Sequence, residues 1–443
     1  MKPVRIQVKP LEMTEILDCV ILKRVNEHME AHITGILKDR SILKHLGPET
    51  EIYVEAFSEE GETRNFFRGI LCDMIQEDEG GITKLEVHAK SRTVLLDQEE
   101  NRRFYYSQKQ TFQSIVGDLA SRTDRVRVIY GQGSKNRCGL IAQYGETDWE
   151  FLKRLAGRIG EVVVADGTNS NICIYFGMPR KKEETPDIRS YKLRVWDRGM
   201  EYEAESRDIL EVCTPVELDG KRLYVYEAES RLKGNEMVTH YRLRERKGFR
   251  TKAYRNEKLT GVSFLGRVSE VCREKVRIEC TYGCPEGERD TVWFPFATVY
   301  SSPGGTGWYC MPEEGDRVRL YFPDGEEEHA YGLSAIHLDC PEGRRDNPEE
   351  KSFRTSHDKE IRFTPDQIRI TNHKGMSIVL DDEKGILIKS SRDIRIASEE
   401  GIEIESANEA QILAGKGILF KENQNSLSIS DGIRHTGLMI EYQ

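Results

Sequence analysis

The sequence lacks any long hydrophobic run. No stretch approaches the roughly 18 consecutive apolar residues that mark a membrane-spanning helix, so no transmembrane helix is expected. Residues 1–24 contain neither an uninterrupted apolar segment nor a small-residue cleavage site, which argues against a secretory signal peptide. We therefore expect synthesis in the cytoplasm.

Cysteine is sparse and scattered, with ten residues in a chain of 443. This frequency excludes a disulfide scaffold. The one close pair, Cys280 and Cys284, has no second pair and no histidine partner at zinc-finger spacing, so we interpret both as reduced thiols in or near a strand end. The net charge of −10 disfavours a nucleic-acid binder, because phosphate contacts need clustered lysine and arginine.

Familiar catalytic motifs are also missing. The sequence has no glycine-rich phosphate loop, nucleophile elbow, HExxH motif or paired catalytic carboxylates, so it predicts no enzyme and no cofactor.

Core-forming residues are scarce: counted with glycine and without tyrosine, apolar residues make up about 41% of the chain, against a usual share of roughly 45–50%. Apolar residues nevertheless occur along the whole length, which argues against disorder. An obligate assembly of thin, elongated modules would explain the shortfall.

The pattern along the chain is mainly β. Residues 1–100 contain short runs that alternate apolar and polar side chains, such as Val4–Val8 and Leu85–Ala89, which predict half-buried strands of a barrel or sandwich. Residues 260–338 hold about five further strands with glycine and proline turns, which suggests a small OB-fold barrel. We interpret the acidic run Glu326–Glu328 as a solvated turn.

Two helices interrupt the strands. Phe112, Ile115, Val116 and Leu119 have the spacing of one apolar helical face. In the second helix, Thr147 or Asp148 can cap the amino terminus, and Glu150 completes a capping box with Thr147. Its predicted buried stripe consists of Trp149, Leu152, Leu155 and Ala156, and Gly160 ends it.

A short repeat fills the last hundred residues. Apolar triplets begin at Ile378, Ile386, Ile394 and Ile402, with a spacing of eight residues and polar or glycine turns between them. So thin a repeat cannot form a core alone, but three chains wound together can form a closed triangular β-prism, with backbone hydrogen bonds between chains. The predicted needle core of this trimer consists of Ile378, Leu380, Ile386, Ile388, Ile394, Ile396, Ile402 and Ile404.

Several segments of the chain resemble one known family. Residues 143–156 (QYGETDWEFLKRLA) are similar to the signature of VgrG and phage late-control D proteins, with Thr147 where the family usually has serine. The motif positions are Glu146, Asp148, Phe151, Leu152, Arg154 and Leu155. Residues 266–268 and 307–318 resemble the spike OB domain, residues 331–336 resemble its closing strand, and the octad repeat resembles the β-helical needle.

This resemblance implies the trimeric central spike of a contractile injection system. It implies a hub of two β-barrel-like domains with a few helices (residues 1–100 and 101–255), an OB-fold domain (260–338) and an intertwined trimeric β-helix (360–443). The implied partners are two further copies of the chain, an inner tube protein, baseplate wedge proteins and effector cargo. Contact with a target envelope would occur only during injection.

The end of the predicted needle differs from that of some phage needles. The chain has a single histidine there, His435, where some phage needles have a His-x-His iron site. The resemblance therefore implies a separate PAAR-like tip protein, which would dock on Leu438, Met439, Ile440 and Tyr442. Residues 337–360 leave no room for an inserted lysozyme domain.

The sequence leaves other functions open. A cell-wall or polysaccharide-degrading enzyme on a β-helical scaffold would need acids aligned on one face, whereas these acids lie mostly in turns. An OB-fold nucleic-acid binder could use Trp308 for base stacking. A three-fold ring of His357 or His373 could hold a metal ion on the trimer axis.

Overall fold

The computed structural model describes residues 3–48, 50–58, 60–196, 199–234, 236–250, 254–280, 292–337 and 345–437. Cys284 and the predicted tip-docking residues Leu438, Met439, Ile440 and Tyr442 lie outside this range. The chain divides into two compact units, Met1–His337 and Leu338–Gln443. Both are built mainly from strands, which confirms the predicted fold class. Within the described ranges, no helix is long and apolar enough to cross a membrane.

The first unit contains a set of strands, which we number in chain order. They are β1 Pro3–Lys9, β2 Met13–Arg24, β3 Glu30–Leu37, β4 Glu51–Ser58, β5 Thr63–Glu79, β6 Ile82–Lys90, β7 Asn101–Tyr105, β8 Val126–Tyr130, β9 Ile141–Glu146, β10 Val163–Asp166, β11 Ile172–Phe176, β12 Tyr191–Trp196, β13 Gly199–Ser206, β14 Pro215–Leu218, β15 Lys221–Lys233, β16 Glu236–Arg244, β17 Ser263–Cys272, β18 Lys275–Cys280, β19 Trp293–Pro295, β20 Arg317–Tyr321 and β21 Tyr331–Leu333. The helices are α1 Phe112–Ser121 and α2 Asp148–Arg158.

One large sheet forms the framework of the hub. Its strand order is β1-β4-β5-β6-β3-β2-β15-β16-β13-β12, and β14 pairs with β15 at one side. The long strands β2 and β15 pair antiparallel, with Ile21 opposite Ser230, and so join the first hundred residues to the segment after residue 200. Among the described residues the order has two ends. The hub strands therefore belong to one open sheet rather than to closed barrels.

The helices cover this framework beside two small sheets, β10-β11-β8 and β7-β9. Thr111 caps α1 in a capping box with Ser114, and the predicted apolar face of Phe112, Ile115, Val116 and Leu119 is buried. These side chains belong to the same hydrophobic core as Ile52 of β4 and Leu152 of α2. A shared core fixes the helices against the large sheet.

The OB domain is the five-stranded sheet β19-β18-β17-β20-β21. Its core includes Val268, Ile278 and Leu320, and it also contains Phe104 of β7 and Ala142 of β9. The OB strands therefore pack directly on the β7–β9 pair of the hub. Cys280, at the end of β18, is buried, as predicted for a reduced thiol.

The second unit is a series of antiparallel hairpins. Its strands are β22 Lys351–Arg354, β23 Glu360–Phe363, β24 Gln367–Thr371, β25 Ser377–Asp381, β26 Gly385–Lys389, β27 Ile418–Glu422, β28 Asn425–Ile429 and β29 Ile433–Thr436. Strands β22 to β26 pair in sequence order within the chain, whereas the repeat predicted hydrogen bonds between chains. Tight turns such as 382–384 allow each strand to pair with its neighbour. The triplets at 394–396 and 402–404 form no strand of this chain.

Candidate functional site: the motif helix and the needle sheet

Helix α2 begins as its sequence predicts. The Thr147 hydroxyl accepts a hydrogen bond from the Glu150 backbone N–H at 3.1 Å, and the Glu150 carboxylate accepts one from the Thr147 N–H at 3.1 Å. This capping box satisfies two backbone donors that the helix cannot satisfy itself. At the other end, Gly160 has a φ of +68°, a left-handed conformation that favours glycine.

Apolar side chains of α2 face the hub core. Trp149, Phe151, Leu152, Leu155 and Ala156 are all buried. The Trp149 ring lies 4.4 Å from the His28 ring, centroid to centroid. Trp149 and Phe151 therefore belong to the core, which favours a packing role over ligand stacking for this aromatic pair.

Asp148 joins the helix start to two strands. Its Oδ1 accepts hydrogen bonds from Gln143 Nε2 at 2.8 Å, from Arg103 Nη1 at 2.6 Å and from Asn101 Nδ2 at 3.1 Å. The donors come from β7 and β9, which carry the OB domain. The first half of the motif thus fixes α2 to the strand pair beneath the OB domain.

Arg154 is the centre of the second half of the motif. Its side chain is buried, and it donates from Nε and Nη2 to both carboxylate oxygens of Glu146 at 2.7 Å each. Nη1 donates to Glu327 Oε1 at 2.8 Å, and Nη2 donates to the Ala142 carbonyl at 2.6 Å. Four of the five guanidinium N–H donors are therefore used.

The interpretation of Glu326–Glu328 as a solvated turn is wrong for its middle residue, Glu327. Only 1% of this residue is exposed, and it lies in a short 3-10 turn, Glu327–His329, at the OB end of the first unit. Besides Arg154, its carboxylate accepts hydrogen bonds from Arg158 and from the Ala142 backbone N–H. The prediction was wrong because the run Glu326–Glu328 looks solvated, whereas the turn directs its middle residue inward. In the sequence, the one feature that could have indicated a buried carboxylate partner is Arg154, a charged residue among the apolar positions of the motif helix.

The pKa shifts agree with a dry ionic network. Burial raises the pKa of Glu146, and the Arg154 guanidinium offsets this only in part. Burial lowers the pKa of Arg154, but its hydrogen bonds to Glu146 and the charge of Glu327 outweigh this effect and leave the pKa above its usual value. Breaking such a pair by removing one partner typically costs about 3–5 kcal/mol, because a buried charge is left uncompensated.

The network therefore has a structural role in the arrangement described here. Its carboxylates and guanidinium groups are engaged with one another and with the backbone rather than directed into a cleft. Glu327 of the OB domain, Arg154 of α2 and Ala142 of β9 are held in one cluster. The motif helix therefore locks the hub to the OB domain.

The needle sheet, which we define as β22–β26, has one apolar face. Two rows of side chains cross it from strand to strand. The first row is Phe353, Ile361, Ile370, Ile378 and Ile388, and the second is Phe363, Ile368, Leu380 and Ile386. All nine residues are between 38% and 73% exposed in the single chain. Monomeric proteins rarely leave so continuous an apolar surface uncovered.

The opposite face of the needle sheet is polar at its start. Glu360 accepts hydrogen bonds from Arg362 Nε at 2.8 Å and contacts His373 Nε2 at 2.5 Å. His373 is thus engaged with a carboxylate of its own chain, and His357 contacts Ser356. Neither contact brings the two histidines together in a metal site within this chain.

The remaining predicted needle core residues lie beyond β26. Ile394, Ile396, Ile402 and Ile404 are 55–83% exposed. Trp308 of the OB domain is exposed as well, in a loop with exposed Tyr300 and Tyr309. The structure therefore brings together the motif residues and the first half of the predicted needle core.

Two family models match the chain. The phage tail baseplate hub (GPD) matches residues 35–174, and the type VI secretion system/phage-baseplate injector OB domain matches residues 264–337. These ranges contain the motif helix and the OB sheet that the Arg154 network joins. The chain is VgrG-like: it carries a baseplate hub domain and an injector OB domain of the kind found in phage tails and type VI secretion systems.

Solved structures share the fold of this VgrG-like chain. The E. coli c3393 protein, described as a type VI secretion component similar to the T4 tail proteins gp27 and gp5, is 12% identical; 75% of this chain and 100% of that chain align with a TM-score of 0.56. The half-lidded Francisella PdpA-VgrG complex is 10% identical; 87% of this chain and 88% of that chain align with a TM-score of 0.57. Among curated proteins, no significant match was found.

The first prediction concerns Glu327. Changing Glu327→Gln removes a carboxylate from Arg154 and Arg158, and we expect the free energy of unfolding of the first unit to fall by about 3–5 kcal/mol. The matched control is Glu328→Gln, because Glu328 is the exposed neighbour in the same acidic run. Urea unfolding followed by tryptophan fluorescence measures the difference, with the buried Trp149 of the same helix as a probe. Equal effects of the two substitutions would contradict the assigned role.

The second prediction concerns pH. Burial lowers the pKa of His28, partly offset by Asp97, whose Oδ2 lies 3.2 Å from Nε2. Below a pH of about 6.5 the unfolded chain binds a proton at His28 more readily than the folded chain does, so acidification favours unfolding. The stability advantage of the wild type over His28→Gln should therefore shrink as the pH falls below that value. A difference that stays constant from pH 7.5 to pH 5 would rule out this contribution.

Proposed function

We propose that this VgrG-like chain works as a homotrimer, in which the hub seats the inner tube and the needle punctures the target envelope when the sheath contracts. The proposed role is mechanical rather than enzymatic. The observation that carries it is the exposed apolar face of the needle sheet, which has nine large apolar residues in two continuous rows. Two further copies of the same face would bury it.

The geometry of the face favours identical partners. The rows are continuous from Phe353 to Ile388, so three copies can place the same positions around one axis. Burial of a large aliphatic or aromatic side chain contributes about 1.5–3 kcal/mol, and three chains would bury the whole set at once. This explains why the needle can be stable although a single chain supplies only half of a core.

Residues 392–414 support the same proposal. Ile394, Ile396, Ile402 and Ile404 keep the octad spacing but have no strand partner within the chain. Winding with two other chains would supply both hydrogen-bond partners and cover for these side chains. We therefore propose that the whole predicted needle core lies on the trimer axis.

The domain boundaries and the remaining partners belong to the same proposal. We take 1–100 and 101–255 as the two parts of the hub, 260–338 as the OB domain and 360–443 as the needle. An inner tube protein and baseplate wedge proteins would contact the hub. A PAAR-like tip protein would dock on Leu438, Met439, Ile440 and Tyr442, and effector cargo would travel with the spike. The chain would be made in the cytoplasm, assembled into the particle and expelled on firing.

The third prediction tests the trimer. Ile388→Asp places a charge on the apolar face, so we expect the variant to be monomeric, and Ile388→Asp combined with Ile396→Asp should abolish trimers completely. The matched control is Leu387→Asp. Leu387 is as exposed as Ile388 (57% each), but it lies on the opposite face of the same strand.

Mass photometry and sedimentation of the full chain give the readout. The wild type and Leu387→Asp should contain about three copies, and Ile388→Asp about one. Circular dichroism of each variant shows whether its hub strands remain folded. A stable wild-type monomer would overturn the proposal, and so would an Ile388→Asp variant that still forms trimers.

A further inference from the structure

A second cluster of polar side chains, separate from the Arg154 network, lies on strands β3 and β6 of the hub. Glu30 and His32 are two residues apart on β3, so their side chains point to the same face of the sheet. His88 of β6 is the direct cross-strand partner of His32. Pairing of β3 with β6 therefore brings one carboxylate and two imidazoles together.

The distances within this cluster suit a small cation. Glu30 Oε2 lies 3.6 Å from His32 Nε2 and 3.5 Å from His88 Nε2. All three candidate ligand atoms lie within 4.8 Å of one another. Ligands about 2.0–2.2 Å from a tetrahedral zinc ion are separated by about 3.3–3.6 Å. Both carboxylate-to-imidazole distances therefore nearly match the edge of such a site.

These separations are poor for direct hydrogen bonds. The two histidine rings are stacked with centroids 4.1 Å apart and planes 10° apart. His88 Nε2 is buried and has no hydrogen-bond partner among the described residues. An unpartnered buried nitrogen normally costs free energy. A bound metal ion would satisfy this nitrogen.

The neighbouring lysine leaves one carboxylate oxygen of Glu30 available to a metal ion. Lys90 Nζ contacts Glu30 Oε1 at 3.0 Å, so Oε2 remains for the side of the carboxylate that faces the imidazoles.

We propose that Glu30, His32 and His88 bind a divalent transition-metal ion of the zinc class on strands β3 and β6 of the hub sheet. Two imidazoles and one carboxylate form a ligand set that suits zinc, copper, nickel or iron. Three protein ligands leave a fourth position open to water or to another ligand. The ion would link β3 to β6 and so stabilise the hub sheet, independently of the trimeric needle.

The test uses the full chain without an affinity tag, titrated with Co²⁺ and then with competing Zn²⁺. The wild type should develop the visible absorption of tetrahedral cobalt, with one ion per chain displaced by zinc. His32→Gln, His88→Gln and Glu30→Gln should each weaken binding at least about tenfold, because even the loss of a hydrogen-bond partner behind a metal ligand typically costs that much. His240→Gln is the matched control, because His240 is an exposed strand histidine beside Glu205, with Nδ1 3.2 Å from Oε1.

Unfolding without metal shows whether each variant is folded, and Glu30→Gln changes the shape of the side chain least. Zinc should raise the unfolding midpoint of the wild type and of His240→Gln, but not those of the three ligand variants. The proposal is overturned if the wild type binds neither ion. Binding that Glu30→Gln and His88→Gln leave unchanged would overturn it as well, because it would place the ion elsewhere.

Discussion

The architecture of this chain depends on an apolar surface that a single copy cannot bury. The needle sheet pairs its own strands, which satisfies the backbone, but one face remains a continuous field of isoleucine, leucine and phenylalanine. The hydrogen bonds of the needle sheet are thus completed within the chain, whereas its apolar face would be buried between chains in the proposed trimer. The low apolar content of the sequence agrees with this proposal, because a core shared by three chains needs fewer apolar residues from each.

In the proposed role, a spike that transmits force needs a rigid junction between hub and OB domain. The Arg154 network supplies one, since a buried guanidinium joins the motif helix, strand β9 and the OB turn around Glu327. The same strand pair contributes Phe104 and Ala142 to the OB core. Apolar packing and ionic contacts therefore fix the same interface, and the family signature corresponds to the residues that build it.

The sequence alone predicted the structural features that depend on residues close together in the chain. The capping box of Thr147 and Glu150, the buried stripe of α2 and the strands at Ile378 and Ile386 are local patterns. It missed what depends on distant pairing. Glu327 lies 173 residues from Arg154, and the Glu30–His32–His88 cluster exists only because β3 pairs with β6. The open order of the hub sheet likewise follows from the pairing of β2 with β15, which no local pattern indicates.

Hydrogen–deuterium exchange on the wild-type chain tests the shared core most directly. The amides of 394–396 and 402–404 belong to no strand within one chain, so a lone chain would exchange them rapidly. If three chains wind together, these amides are paired between chains and exchange as slowly as those of β25 and β26. Fast exchange at 394–404 beside slow exchange in β25 would contradict the account.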